Sequence, residues 1–195
     1  MDAKDIHVLI KVKVYKFLLN SIFVFILFCI DRFSKIYIIE LSEKTNVSEI
    51  YLTSFLNSYL VWNTGIAFGL FSFSNEFVYN LFTALIVLIN LIIIYLVIVI
   101  KDFRKYFFLL ILGGSFGNLF DRIYYRSVPD FIDFHIGNFY DRIFFEAVPD
   151  FIDFHVENFH WFIFNVSDIF ITTGVVLMIF LEMFLSKDKF QNDRN

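Results

Sequence analysis

Apolar residues fall into four long runs along the chain, and polar or charged stretches separate the runs. The second run, VYNLFTALIVLINLIIIYLVIVI, holds 23 residues without a charge. At about 1.5 Å per residue, a helix of this length crosses the roughly 30 Å hydrocarbon core of a bilayer. The pattern predicts an all-α membrane protein, a single polytopic domain (1–195) with four transmembrane helices at about 16–38, 78–100, 106–121 and 164–185.

The segment between the first two runs, 40–77, has a different pattern. Its second half is apolar and aromatic, but Asn57, Asn63, Gly65 and Gly69 interrupt it. Aromatic and β-branched residues favour strands, whereas Gly and Asn favour turns. We therefore expect a small β-rich cradle on the membrane surface here, and a second outer loop in the segment 122–163.

The charges predict how the chain is oriented in the membrane. The first 16 residues, the turn KDFRK and the tail are rich in Lys or Arg. The outer segments have an excess of acidic residues instead, with one Lys against four Glu in 40–77 and three Arg against eight acidic residues in 121–163. Because Lys and Arg accumulate on the cytoplasmic side, we expect both termini in the cytoplasm and both outer segments outside.

The amino-acid composition is unlike that of a soluble domain and excludes several kinds of site. The chain is 58% hydrophobic and 18% charged, against roughly 25% charged residues in soluble domains. Its single cysteine, Cys29, excludes an internal disulfide and a cysteine-based metal cluster. The sequence has no nucleotide motif, no recognised metal-ligand spacing among His135, His155 and His160, and no basic patch for nucleic acid. We expect no cofactor, no metal and a monomer in the lipid bilayer.

The second outer segment contains a tandem repeat. Residues 121–140 and 141–160 differ at seven positions and match at the other 13 of 20. Both copies contain VPDFIDF, so Asp130 and Asp150 hold the same place in the repeat. The later carboxylates, Asp133 and Asp153, are interpreted as a solvated edge.

Further polar residues lie at the outer ends of the helices. Asp31 and Lys35, at the end of the first, have i, i+4 spacing and can pair. Asn118 and Arg122, at the end of the third, have the same spacing. Ionisable groups at membrane depth are costly, so they indicate functional sites.

Asp168 lies one turn into the fourth run, where Asn165 could cap the helix and the carboxylate could simply complement the helix dipole. The functional alternative is a carboxylate pair. Two carboxyl groups close together in a low-dielectric site share a proton, and such a pair can activate water against an amide carbonyl. The residues alone leave a hydrolase and a proton-relaying transporter open.

Five motifs then occur in order: DRFSK (31–35), NTGIAFG (63–69), GGSFGNLFDR (113–122), VPDFIDF (128–134 and 148–154) and FNVSD (164–168). Together they resemble the lipoprotein signal peptidase family, signal peptidase II, over about residues 16–185. The resemblance implies an aspartyl endopeptidase of the bacterial inner membrane. Such an enzyme cuts the signal peptide from a membrane-anchored prolipoprotein, just before a cysteine that carries a diacylglyceryl group.

By this resemblance, Asp168 is one catalytic aspartate and the first aspartate of VPDF is the other. The remaining motif positions are expected to shape the site and to bind the substrate: Asp31, Lys35, Asn63, Gly65, Gly114, Asn118, Arg122 and Asn165.

The duplication supplies two candidates for the second aspartate. Asp130 lies nine residues after Asp121, which is the spacing that the resemblance leads us to expect. Asp150 instead has the expected short spacing to the fourth helix, since it lies 18 residues before Asp168. We favour Asp130, because the third helix positions it directly and a longer loop costs only about 0.6 kcal/mol per doubling of length. Asp150 stays the alternative.

Two other functions also remain open: a transport or lipid-handling protein with a proton relay, and a remnant whose catalysis the duplication has impaired.

Overall fold

A computed structural model describes residues 2–45, 49–53, 56–65, 75–134 and 163–192. The four helices are α1 (Ala3–Thr45), α2 (Glu76–Val99), α3 (Arg104–Tyr124) and α4 (Val166–Asn192). The three strands are β1 (Glu49–Thr53), β2 (Leu56–Asn63) and β3 (Val128–Phe134). The expectation of a mainly helical chain with a small sheet is confirmed.

The first helix is longer than the hydrophobic pattern predicts. It begins at Ala3 rather than near residue 16 and continues to Thr45. Gly and Pro are the strongest helix breakers, and the chain has neither between these two ends. The basic N-terminal segment therefore extends the apolar helix instead of preceding it.

Two described helices are long and apolar enough to cross a membrane, Glu76–Val99 and Val166–Leu185. The other two, α1 and α3, have charged residues in or near their apolar parts, among them Arg32 and Asp121. These charges are buried, so they face neighbouring helices rather than the outer surface of the bundle.

The sheet joins the two outer segments. Its strands are antiparallel in the order β1-β2-β3. Leu56 lies opposite Phe134, and Asn63 opposite Val128. Beyond β3, Ile132 exchanges backbone hydrogen bonds of 2.7 and 3.0 Å with Phe164, just before α4 begins. The sheet therefore ties VPDFIDF both to β2 and to the start of the fourth helix.

Glycines allow the helices to approach closely. A Cβ atom on Gly113 of α3 would collide with Leu27 of α1. On Gly174 of α4 it would lie 2.7 Å from the carbonyl oxygen of Phe107. Small residues allow close packing of this kind in membrane proteins. The spacing of α3 from its neighbours, and hence the position of the polar groups at its end, depends on these contacts.

We predict that Gly174→Val destabilises the protein by about 1–3 kcal/mol, because the added atoms would meet the α3 backbone. The measurement is thermal unfolding in detergent. Thr173→Val, at the exposed neighbouring position, is the control and should change the unfolding temperature little. Equal effects of the two substitutions would contradict the close contact.

Candidate active site

Asp130 is the buried carboxylate at the centre of β3. It lies opposite Val61 of β2 and is 3% exposed. The side-chain amide of Asn63 donates to one carboxylate oxygen at 2.8 Å. The amide of Asn165 donates to the other at 2.6 Å. Both oxygens thus have a neutral donor.

Asp168 lies in the first turn of α4 and forms a reciprocal cap with Asn165. Its backbone N–H donates to Oδ1 of Asn165 at 3.2 Å, and the N–H of Asn165 donates to Oδ2 of Asp168 at 3.1 Å. This arrangement satisfies two N–H groups at the helix start. The other carboxylate oxygen accepts from the amide of Asn118 at 2.9 Å. Asp168 therefore has a capping role and also faces α3.

Asn165 joins the two carboxylates. It is fully buried, and it contacts Asp130 with its amide nitrogen and Asp168 with its amide oxygen and backbone N–H. Burial, followed by the charge of Asp168, raises the pKa of Asp130 to about 7. The hydrogen bonds from Asn165 and Asn63 oppose this shift. Near neutral pH the pair can therefore hold one shared proton.

A cluster of four buried charges lies beside the pair. The ammonium of Lys35 is 3.0 Å from Asp31 and 2.7 Å from Asp121. Arg32 also contacts both carboxylates. Two cations and two anions make the cluster formally neutral, which is how charges are tolerated in a buried site. The expected pairing of Asp31 with Lys35 is present.

Lys35 also orients the residue next to the carboxylate pair. Its ammonium donates to Oδ1 of Asn118 at 2.8 Å. This bond fixes the amide so that its nitrogen faces Asp168. Asn118 therefore links the ammonium of Lys35 to the carboxylate of Asp168 through two hydrogen bonds.

Arg122 holds the chain that follows β2. Its guanidinium donates to the carbonyl of Gly65, and the N–H of Gly65 donates to Oδ1 of Asn63 at 2.8 Å. The hydroxyl of Tyr79 donates to the carbonyl of Arg122 at 3.1 Å. Arg122 and Gly65 therefore act on the site by orienting Asn63 toward Asp130.

Two glycines of α3 leave room for these polar groups. A Cβ atom on Gly114 would collide with the backbone carbonyl of Ser167, so Gly114 shapes the site by allowing α3 and α4 to lie close together. At Gly117 a Cβ atom would collide with the carboxylate of Asp31 and the hydroxyl of Ser167. Gly117 was not among the residues singled out from the sequence.

Asp121 and Arg32 were also missed, although both lie inside the quoted motifs. Asp121 is fully buried and contacts both cations of the cluster. A sequence signal existed, because Asp121 follows Gly117 by four residues and Asn118 by three, which places all three on one helix face.

The interpretation of Asp133 as a solvated edge is wrong. Asp133 is 3% exposed and lies opposite Asn57 in the sheet. The reason is that the first copy of VPDFIDF forms strand β3, which pairs with β2, and is not an outer loop. Asp150 and Asp153, the equivalents in the second copy, lie outside the described residues, as do the histidines at 135, 155 and 160. Within the described ranges, no group of three or more His, Cys, Asp or Glu could hold a metal ion.

The fold and these contacts define a helical membrane protein with a coupled carboxylate pair at one end of its bundle. The family model for signal peptidase (SPase) II matches residues 23–136 and 135–184. The chain therefore belongs to the signal peptidase II family. Both copies of VPDFIDF fall within the matched stretches, the first copy in one and the second copy in the other.

Relatives agree with this family, and two solved structures have a similar fold. A lipoprotein signal peptidase of Pelagibacter ubique is 44% identical over 95% of this chain and 99% of its own length. One of Thermodesulfovibrio yellowstonii is 33% identical over 86% of this chain and 95% of its own. Two solved bacterial membrane enzymes share the fold. One has a TM-score of 0.60 at 22% identity, covering 88% of this chain and 91% of its own. The other has a TM-score of 0.53 at 26% identity, covering 84% of this chain and 91% of its own.

We predict that Asp121→Asn destabilises the protein by about 3 kcal/mol or more, because it leaves an uncompensated positive charge in the buried cluster. Thermal unfolding in detergent measures the effect. Glu40→Gln is the matched control, since it also removes one carboxylate from an ion pair, the exposed pair with Lys44 at 3.2 Å. It should have little effect. Similar unfolding temperatures for both variants would contradict a structural role of the cluster.

Proposed function

We propose that the chain is an aspartyl endopeptidase that removes the signal peptide from diacylglyceryl-modified prolipoproteins, cutting just before the lipidated cysteine. The observation that carries the proposal is the pair of carboxyl groups, Asp130 and Asp168, on either side of buried Asn165. Membership of the signal peptidase II family supports peptide hydrolysis and does not favour a transporter.

The proposed chemistry uses one protonated and one ionised carboxyl group. Asp130, with its raised pKa, donates its proton to the scissile carbonyl oxygen while ionised Asp168 takes a proton from the attacking water. The result is a tetrahedral diol. Asp168 then gives its proton to the leaving nitrogen of the lipidated cysteine, the C–N bond breaks, and a diol hydroxyl returns a proton to Asp130. The products are a carboxylic acid and an amine, and no cofactor takes part.

The other site residues position the pair. Asn63 and Asn165 orient Asp130, and Asn118 orients Asp168. Lys35, whose charge the cluster balances, favours the ionised form of the pair without direct contact with either carboxylate. Burial and the charge of Asp168 outweigh this effect and raise the pKa of Asp130 to about 7, so the pair can keep a proton near neutral pH.

We further infer that all four helices cross the inner membrane, with both termini in the cytoplasm. Phe17 and Phe25 of α1 are 65% and 64% exposed, and such an apolar surface is suited to lipid. The ion pair of Arg104 with Glu182 lies at the basic end of the bundle, and the carboxylate pair at the other. A membrane-anchored substrate would meet the site at the outer face. One chain supplies both carboxylates, so a monomer suffices.

The first copy of the repeat fits the site better than the second. Arg126, in the turn before β3, takes a left-handed φ of 60°. Its guanidinium contacts Glu76 at 3.2 Å and Asn80 at 2.9 Å. The second copy has Glu146 at the equivalent position, and a glutamate there would place like charges together. This difference supports Asp130 over Asp150.

We predict that Asp130→Asn and Asp168→Asn each lower the cleavage rate of a diacylated prolipoprotein by roughly 100-fold or more, because each removes one partner of the proton exchange. The matched control is Asp150→Asn, which makes the same change in the identical motif and should keep nearly full activity. Loss of activity in Asp150→Asn, with activity kept in Asp130→Asn, would assign the role to the second copy. Full activity in Asp168→Asn would contradict the aspartyl mechanism.

We also predict that kcat/KM falls as the pH rises through about 7. The pKa of Asp130 is raised to about 7, so the pair holds its shared proton below that pH and loses it above. The rate is measured from about pH 5.5 to 9 with Asp150→Asn in parallel, which should give the same profile. If kcat/KM instead increased as the pH rises through about 7, the singly protonated carboxyl pair would not be the active form, and the proposed mechanism would be contradicted.

A further inference from the structure

A cleft of about 840 Å³ lies at the end of the bundle opposite the candidate active site. One wall is the N-terminal part of α1, and the other is the turn between α2 and α3 together with the start of α3. Four lysines line it, two on each wall: Lys11, Lys16, Lys101 and Lys105.

Among the described residues, no carboxylate forms an ion pair with these lysines. Within the described part of the chain, none of the four has a carboxylate within 4.0 Å. The acidic residue in the lining, Asp102, accepts from the guanidinium of Arg104 with both oxygens, Oδ1 at 3.1 Å and Oδ2 at 2.7 Å. Arg104 also pairs with Glu182 at 3.1 Å. The cleft therefore keeps a positive charge, and its charge complement is an anion.

Apart from Asn20, the rest of the lining is apolar or aromatic. Leu19 and Phe23 come from α1, and Phe103 and Tyr106 from the other wall. Leu19 is 47% exposed and Phe103 55% exposed. A soluble anion would contact only the lysines, whereas an amphiphile would contact both the lysines and these apolar side chains.

We propose that this cleft binds an anionic phospholipid of the cytoplasmic leaflet. Its phosphate lies among the lysines, and the first part of an acyl chain lies against Leu19 and Phe23. Basic pockets between helices at the cytoplasmic side suit anionic headgroups, and each lysine near the surface adds attraction. The α3 residues Arg104 and Asn118 lie about 20 Å apart along the helix, so this site is separate from the carboxylate pair. Binding here does not depend on peptidase activity.

The test measures how strongly the purified full chain in detergent binds an anionic and a zwitterionic lipid, and compares wild-type protein with variants. Phosphatidylglycerol and phosphatidylcholine with the same acyl chains are titrated, and bound lipid is counted by native mass spectrometry, with thermal unfolding as a second measurement. The cleft variant Lys16→Gln with Lys101→Gln removes one lysine from each wall. We expect wild-type protein to prefer phosphatidylglycerol, and the cleft variant to bind it roughly tenfold more weakly.

Two controls make the result specific. Lys13→Gln with Lys44→Gln removes the same charge from exposed positions outside the lining and should leave binding unchanged. Lys16→Arg with Lys101→Arg keeps the charge and should retain binding, which separates charge loss from misfolding. Equal weakening in the exposed control, equal binding of phosphatidylcholine, or unchanged binding in the cleft variant would overturn the proposal. Complete competition by millimolar inorganic phosphate would assign the cleft to a soluble anion instead.

Discussion

Two neighbouring carboxyl groups at the end of an apolar bundle, buried Asp130 and partly buried Asp168, are unfavourable if both are ionised, and this constraint determines the surrounding polar structure. The donors that contact Asp130 are neutral amides, from Asn63 and Asn165. A cation in direct contact would favour ionisation of both carboxyl groups. The nearby cation, Lys35, instead reaches Asp168 through Asn118 and is balanced by Asp31 and Asp121. The site thus keeps one proton near neutral pH.

The fold brings these groups together from distant parts of the chain. Helix α3 supplies Asn118 and the balancing Asp121, while glycines on α3 and α4 set the distance to the neighbouring helices. The sheet supplies Asp130, and the bridge between Ile132 and Phe164 places β3 against the start of α4. Asn165 therefore has a capping function and a bridging function at the same point of the chain. Packing of the helices and pairing of the strands determine the geometry of the site together.

Local sequence patterns predicted the parts of the structure that depend on local interactions. The uncharged run near 78–100 corresponds to α2, and the i, i+4 spacing of Asp31 and Lys35 corresponds to an ion pair. The resemblance, rather than periodicity, selected Gly65 and Gly114 as site residues. Pairing of β3 with β2 and the bond from Arg122 to Gly65 join residues more than 50 positions apart, and no local pattern specifies such contacts. The two copies of VPDFIDF are identical, so only the flanking residues distinguish them, through Arg126 and its contacts with α2.

The central claim is that Asp130 and Asp168 titrate as a coupled pair. Carbon-13 NMR of protein labelled at the aspartate carboxyl carbons, recorded from about pH 4 to 9, tests it directly. We predict a carboxyl group that titrates near pH 7, disappears in Asp130→Asn, and titrates at lower pH in Asp168→Asn because the neighbouring charge is gone. The account would be contradicted if no carboxyl group titrated near 7, or if the titration at Asp130 did not change in Asp168→Asn.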